Sequence, residues 1–185
     1  MKARLIRIAT STLAGISLLY TSWFIFVYQP DLHHIRRWVQ SGHRAAQPIL
    51  ETLYPLALER ESQRGIEHYA VHIAFLERYP HPVPQSALLR SGHRALWSLT
   101  THLLLSDDES FGLWVSCAYH GCNAGLPAAS ERYYAKSINE LSLEEQAALV
   151  VLVSSPGEYP PGSESSKHAV KALIDRHTGS QSIPN

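Results

Sequence analysis

Neither sign of charge prevails in this chain: sixteen Lys and Arg stand against sixteen Asp and Glu in 185 residues. Without a basic excess nothing is built to hold a phosphate backbone, and nucleic acid is not an expected partner. Internal repeats are absent, and so is any β-rich block; the apolar residues recur at helical spacing, and the expected fold class is all-α. Length and an apolar content of 45% suit one hydrophobic core plus an anchor. Cysteine is scarce, with Cys117 and Cys122 alone. They either pair, if the chain turns back locally, or stay as two thiols, one of them a small buried residue. His68 and His72 stand at i and i+4, a spacing that suits a metal. No third ligand with a defined position follows, so no metal site is expected from the residues. Eleven histidines make the net charge sensitive to mildly acidic pH.

One long apolar run is present. Ile8 to Val27 carries no charge and is rich in Leu, Ile, Phe, Trp and Tyr; about twenty such residues span a bilayer as a helix. We assign 1–7 to a cytoplasmic amino terminus and 8–28 to the anchor. Lys2, Arg4 and Arg7 precede the run, although Arg36 and Arg37 follow it. The positive-inside bias therefore puts the remainder on the extracytoplasmic side. A cleaved signal peptide is the alternative, disfavoured by length and by bulky Trp23, Phe24, Phe26 and Tyr28 where small residues would stand. Outside the cytoplasm a disulfide is permitted.

Beyond the anchor, Pro30 is expected to end the first helix, and 29–64 to form a stalk and first helices broken at Pro48 and Pro55. A helical domain follows over 65–178 and a disordered tail over 179–185. Gly65 to Tyr79 puts Ile66, Tyr69, Ile73 and Leu76 on one face before Pro80, Pro82 and Pro84. A helix over about Ser86–Leu105 would bury Leu89, Leu96, Leu99 and Leu103. Ser106 with Glu109, and Ser142 with Glu145, have capping-box spacing, the second with Leu141 as a staple. The second of these helices should end at Pro156. Val170, Leu173 and Ile174 suggest a last helix over His168–His177.

Leu105 to Gly121 reads L-S-D-D-E-S-F-G-L-W-V-S-C-A-Y-H-G. This is similar to the pattern Y-S-K-D-E-I-L-E-L-Y-L-N-x-x-Y-F-G of the peptidoglycan glycosyltransferase family, the transglycosylase module of penicillin-binding proteins and monofunctional transglycosylases. Ser106, Asp108, Glu109, Leu113, Tyr119 and Gly121 are kept. One residue drops out, and Gly125 to Lys136 then resembles G-I-E-A-A-A-x-x-Y-F-G-K. Leu141 to Pro161 resembles L-T-L-x-E-A-A-L-L-A-x-L-P-x-x-P-S-x-Y-N-P. The resemblance implies a shortened, divergent version of the larger lobe of the lysozyme-like transglycosylase fold, at the bacterial inner membrane with its soluble part in the periplasm.

By that resemblance the chemistry is glycan-strand synthesis from lipid-linked disaccharide. A base deprotonates the acceptor hydroxyl, and positive charge or a divalent cation stabilises the departing diphosphate. The family has two glutamates, the first in E-D-x-x-F-x-x-H-x-G and the second in R-K-x-x-E. At the second, this chain has Arg90-Ser91-Gly92-His93-Arg94, with arginine in place of the glutamate. For the first, Phe75 to Pro82 is the better match and gives Glu77 as base; Glu67, followed by His68 and His72, is the second candidate. The central G-A-S-T-I-T-Q-Q-L-x-K segment has no counterpart between His81 and Arg90. The candidate site is Glu77 as base with Arg90, Arg94 and Lys136 holding substrate, against ordinary readings as a helix-end carboxylate and surface cations. Two functions follow: a divergent glycosyltransferase on lipid-linked precursor, or a catalytically inactive membrane-anchored scaffold binding cell-wall enzymes, precursor or glycan.

Overall fold

The computed structural model describes residues 2–80, 86–118, 121–122, 124–155, 157–160 and 162–181. Among them no strand occurs, as the helical spacing requires. The helices are α1 (Lys2–Trp23), α2 (Gln29–Ala46), α3 (Leu50–Arg78), α4 (Ala87–Leu104), α5 (Asp107–Cys117), α6 (Gly125–Tyr134), α7 (Leu143–Ser154) and α8 (Glu164–Gln181). Two compact units divide the chain, one up to Arg36 and one from Arg37 onward. The second therefore takes in residues 37–64, which the sequence sets off as stalk and first helices. Helix α8 reaches Gln181, three residues into the segment read as tail; 182–185 lie outside the described residues, as do Tyr119, Pro156 and Pro161.

In the first unit the apolar helix is long enough to cross a membrane. Leu13, Ile16, Leu18 and Leu19 are all exposed, which suits a helix whose surroundings are apolar. Pro30 does not end it. A π-helical turn over Phe24–Tyr28, closed by the Gln29 N–H donating to the Phe24 carbonyl, widens the ladder just before the proline. The turn shifts the hydrogen-bond register by one residue, so α2 continues through Pro30 with its missing N–H at the start of the new ladder.

The second unit is organised on α3, with α5, α7, α4 and α8 packed along it. Helix α5 is the centre, and every residue from Ser110 to Cys117 is buried. Its start is set by Ser106, whose Oγ accepts from the Glu109 N–H at 3.2 Å while Glu109 Oε2 takes the Ser106 N–H at 2.9 Å. The same reciprocal box opens α7 through Ser142 and Glu145, at 3.3 and 2.8 Å. Such boxes satisfy two orphan backbone donors each. Leu126 and Ala129 of α6, Ala147 and Leu149 to Val153 of α7 and Leu173 of α8 complete the core. Where α2 crosses α5, Gly42 lies directly on the Gly112 backbone carbonyl, an approach that only a residue without a Cβ allows. Beside it His43 Nε2 lies 3.5 Å from Asp108 Oδ2.

The break expected at Pro48 separates α2 from α3, whereas α3 is not broken at Pro55 as the sequence suggests. Pro55 sits inside the helix, and Pro48 sits in the 3₁₀ turn Gln47–Ile49. The break within α3 is Ser62, at φ 63° and ψ 162°. Its hydroxyl accepts from the Gly65 N–H at 3.3 Å, as an N-cap does for the segment beginning at Gln63. The buried face of that segment is Ile66, Glu67, Ala70, Val71 and Ala74, offset from the expected one; Leu76 is exposed.

Helix α4 corrects a larger expectation. Its cap at Ser86 and its end at Leu104 fall where the spacing indicates. The leucine stripe, however, faces out, with Leu99 55% and Leu103 71% exposed, and Leu89 and Leu96 exposed as well. The inward face is Trp97, Thr100 and Thr101. An indole buries more area than a leucine and takes the contact with α3, where Phe75 meets it edge-on at 5.5 Å.

Candidate functional site

Four side chains were expected to converge, and the structure sets them on α3, on α4 and at the α6–α7 joint. Glu77 lies at the exposed end of α3, with its Oε2 so close to Gly121 that a Cβ there would come within 2.6 Å. Gly121 has φ 88°, so glycine serves both the turn and the contact. Arg90 and Arg94 are exposed on α4, and Arg94 reaches the neighbourhood of His72 on α3. Lys136 belongs to the α6–α7 joint. It follows Ala135, the left-handed cap of α6 at φ 50°, and its Nζ donates to Glu145 Oε1 at 2.6 Å. Ser130 Oγ donates to the Lys136 carbonyl at 2.7 Å, holding the same turn from the other side.

Lys136 thereby affects a carboxylate. Its hydrogen bond, then the Ser142 backbone N–H, hold Glu145 below the ordinary carboxylate value. The adjoining Tyr134 is pushed up, by burial first and by Glu145 second.

Between α3 and α4 a cleft of about 410 Å³ opens, lined by Arg64, Glu67, His68, Val71, Ser98, Leu99 and His102. Glu67 is the buried carboxylate of this cleft and the second of the two glutamates considered from sequence. His102 Nδ1 lies 2.8 Å from its Oε2. Gln63 Nε2 donates to its Oε1 at 3.2 Å, and Tyr54 Oη donates to Gln63 Oε1 at 3.0 Å. Burial first, then Asp107, Asp108 and Glu67, raise Tyr54, which keeps its phenol a donor. A line of hydrogen bonds thus runs from Tyr54, which packs on Phe111 of α5 at 4.7 Å, through the capped segment to the open face of α4.

The far end of the α3–α4 contact is aromatic. Phe75 and Tyr79 meet His93 edge-on at 5.6 and 4.8 Å. His68 and His72 stack in parallel at 6.4 Å. Desolvation first, then the Arg94 guanidinium and His68, hold His72 below the ordinary imidazole value, so it stays neutral near neutral pH. Among the described residues no three His, Cys, Asp or Glu gather as a metal-ligand set. Cys117 and Cys122 are joined in a disulfide that ties the end of α5 to the turn before α6.

Sequence reasoning named Glu67 but missed its partners. Tyr54, Gln63 and His102 carry no motif, and the one available signal was a polar histidine within the apolar run of α4, T-T-H-L-L.

The transglycosylase family profile matches residues 85–178. Arg90, Arg94, Lys136 and His102 lie inside that span, and Glu67 and Glu77 precede it. Penicillin-binding protein 1A of Clostridium botulinum is 38% identical over 73 residues, covering 39% of this chain and 9% of the relative. The protein of the same name from Pseudomonas aeruginosa is 37% identical over 73 residues, again 39% and 9%. That of Escherichia coli is 29% identical over 79 residues, 42% and 9%. The matched part of this chain thus spans about a tenth of these relatives' length.

Proposed function

The chain belongs to the transglycosylase family, and from that premise we propose that it is a divergent peptidoglycan glycosyltransferase of the bacterial inner membrane. Its amino-terminal helix is the single anchor, and its helical unit faces the periplasm. Its substrate is lipid-linked disaccharide precursor or the growing glycan strand. The observation that carries this reading is the α3–α4 cleft, where a buried carboxylate, an imidazole and Arg64 line one opening.

Transfer of a sugar from a lipid diphosphate needs two things of the protein: a group that removes the acceptor hydroxyl proton, and positive charge near the leaving phosphates. Arg64 lines the cleft, and Arg94 on α4 supplies a second cation near His72. The cleft that holds Glu67 and His102 suits the base role better than Glu77 does, because a base works inside a cleft that limits water. The apolar lining, Val71 and Leu99, suits the same purpose.

Two sequence features support a second reading, a binding scaffold without turnover. Arg94 stands where the family pattern has its second glutamate, and the central donor-cleft segment is absent. The exposed leucine face of α4 offers such a scaffold a surface for cell-wall enzymes. The full chain in detergent, given labelled lipid-linked precursor, separates the two. Polymer that falls by at least about 100-fold in Glu67→Gln and little in Glu77→Gln supports the cleft. Polymer lost only in Glu77→Gln moves the base to the end of α3, and precursor binding without polymer establishes the scaffold.

A further inference from the structure

We propose that Glu67 and His102 act as a pair in which His102 Nε2 receives the proton of a sugar hydroxyl bound in the α3–α4 cleft, while Glu67 is a positioning residue. This deepens the glycosyltransferase reading and rests on it.

The assignment comes from how the two side chains are held. Glu67 has its side chain only 11% exposed, and both of its oxygens are engaged, Oε2 with His102 Nδ1 at 2.8 Å and Oε1 with Gln63 Nε2 at 3.2 Å. Gln63 is fixed in turn by the Tyr54 hydroxyl at 3.0 Å. So held and so little exposed, this carboxylate presents little surface to a ligand. His102 is the opposite case, with its side chain 55% exposed at the cleft. A carboxylate on Nδ1 selects the tautomer with hydrogen on that nitrogen and leaves the lone pair on Nε2. A carboxylate that orients an imidazole this way makes the imidazole the group that exchanges protons.

The surroundings fit a neutral hydroxyl beside an anion. Arg64 and His68 come from α3 on one wall, and Ser98 and His102 from α4 on the other, with Val71 and Leu99 apolar between them. In the step, the acceptor O–H bond breaks and its proton goes to His102 Nε2. The oxygen's electron pair forms the new bond to the anomeric carbon of the lipid-linked donor. The bond from that carbon to the diphosphate breaks, and its pair leaves on the diphosphate beside Arg64. The proton on His102 then passes to water.

Initial rates of polymer formation by the full chain in detergent test this, on wild type, His102→Ala, His102→Gln and Glu67→Gln, each checked for its helical circular dichroism. The expected result is a fall in kcat of about 100-fold or more for both His102 variants with KM little changed. Added imidazole should restore part of the His102→Ala rate and none of the Glu67→Gln rate. Nitrogen-15 spectra should show His102 with hydrogen on Nδ1 in wild type and a tautomer mixture in Glu67→Gln. Variants of His102 that keep half the wild-type rate, or a His102→Ala rate that imidazole leaves unchanged, overturn the pair while leaving the glycosyltransferase reading standing. A wild type that makes no polymer overturns that reading and the pair with it.

Discussion

Replacing Gly42 by alanine probes the tightest crossing in the helical unit. In most helices this change is favourable by about 1 kcal/mol, because alanine restricts the unfolded chain and is the better helix former. Here the added Cβ would fall on the Gly112 carbonyl oxygen and carbon and come within 3.1 Å of the Ser116 nitrogen, all of them backbone atoms. No rotamer change relieves a collision with backbone, so α2 and α5 must separate, and α5 is buried along its whole length from Ser110. Overpacking of a close-packed interior costs about 1–3 kcal/mol and more where nothing can yield. Even after the propensity gain, we expect a net loss of about 1–3 kcal/mol. For a chain of this size each kcal/mol is about 2–4 °C in Tm, giving a fall of roughly 3–10 °C. Gly92 is the internal control. It lies mid-helix in α4 with nothing within 4 Å of its Cβ position, so Gly92→Ala should raise Tm by about 1–4 °C. Thermal unfolding of the full chain in one detergent, followed by far-ultraviolet circular dichroism, measures both. A Gly42→Ala protein that melts at or above wild type would refute the crossing.

Two further predictions concern local ties. The Cys117–Cys122 disulfide closes a loop of sequence separation 5, for which the chain-entropy relation gives about 2 kcal/mol; paired Cys→Ser substitution should lower stability to denaturant by that order, measured without reductant. Glu145 is held below the ordinary carboxylate value mainly by Lys136, so the unfolded chain binds its proton at higher pH than the folded one does. Its contribution is complete above the usual carboxylate range and is lost as pH falls through and below that range. Wild type should therefore lose stability more steeply than Glu145→Gln between about pH 5 and pH 3, and equal slopes in a urea titration would refute the tie.

Features that depend on near neighbours in the chain were legible in the sequence. The capping boxes at Ser106 and Ser142 are spacings of three residues, and both occur. The apolar run before Tyr28 and the motif order from Leu105 to Lys136 are equally local, and they give a helix long and apolar enough to cross a membrane, and the family. The helix faces were less legible. In α4 a leucine stripe and a lone tryptophan compete for the interior, and periodicity alone weighs four leucines above one indole. Packing against Phe75 of α3 decided for Trp97.

The candidate site divides the same way. Glu67 could be named from sequence as a carboxylate near histidines, but its worth depends on residues far from it in the chain. Tyr54 reaches Gln63 from before the Ser62 break, and His102 arrives from another helix. Glu77 has the closer motif and yet stands at an exposed helix end against Gly121. Sequence by itself determined the helices, their caps, the apolar amino-terminal segment and the ancestry, because each is written in spacings of a few residues. Tertiary structure alone decided which carboxylate is buried, which cations stand near it and which imidazole it meets, because burial and hydrogen-bond partners are set by helices that meet only once the chain has folded.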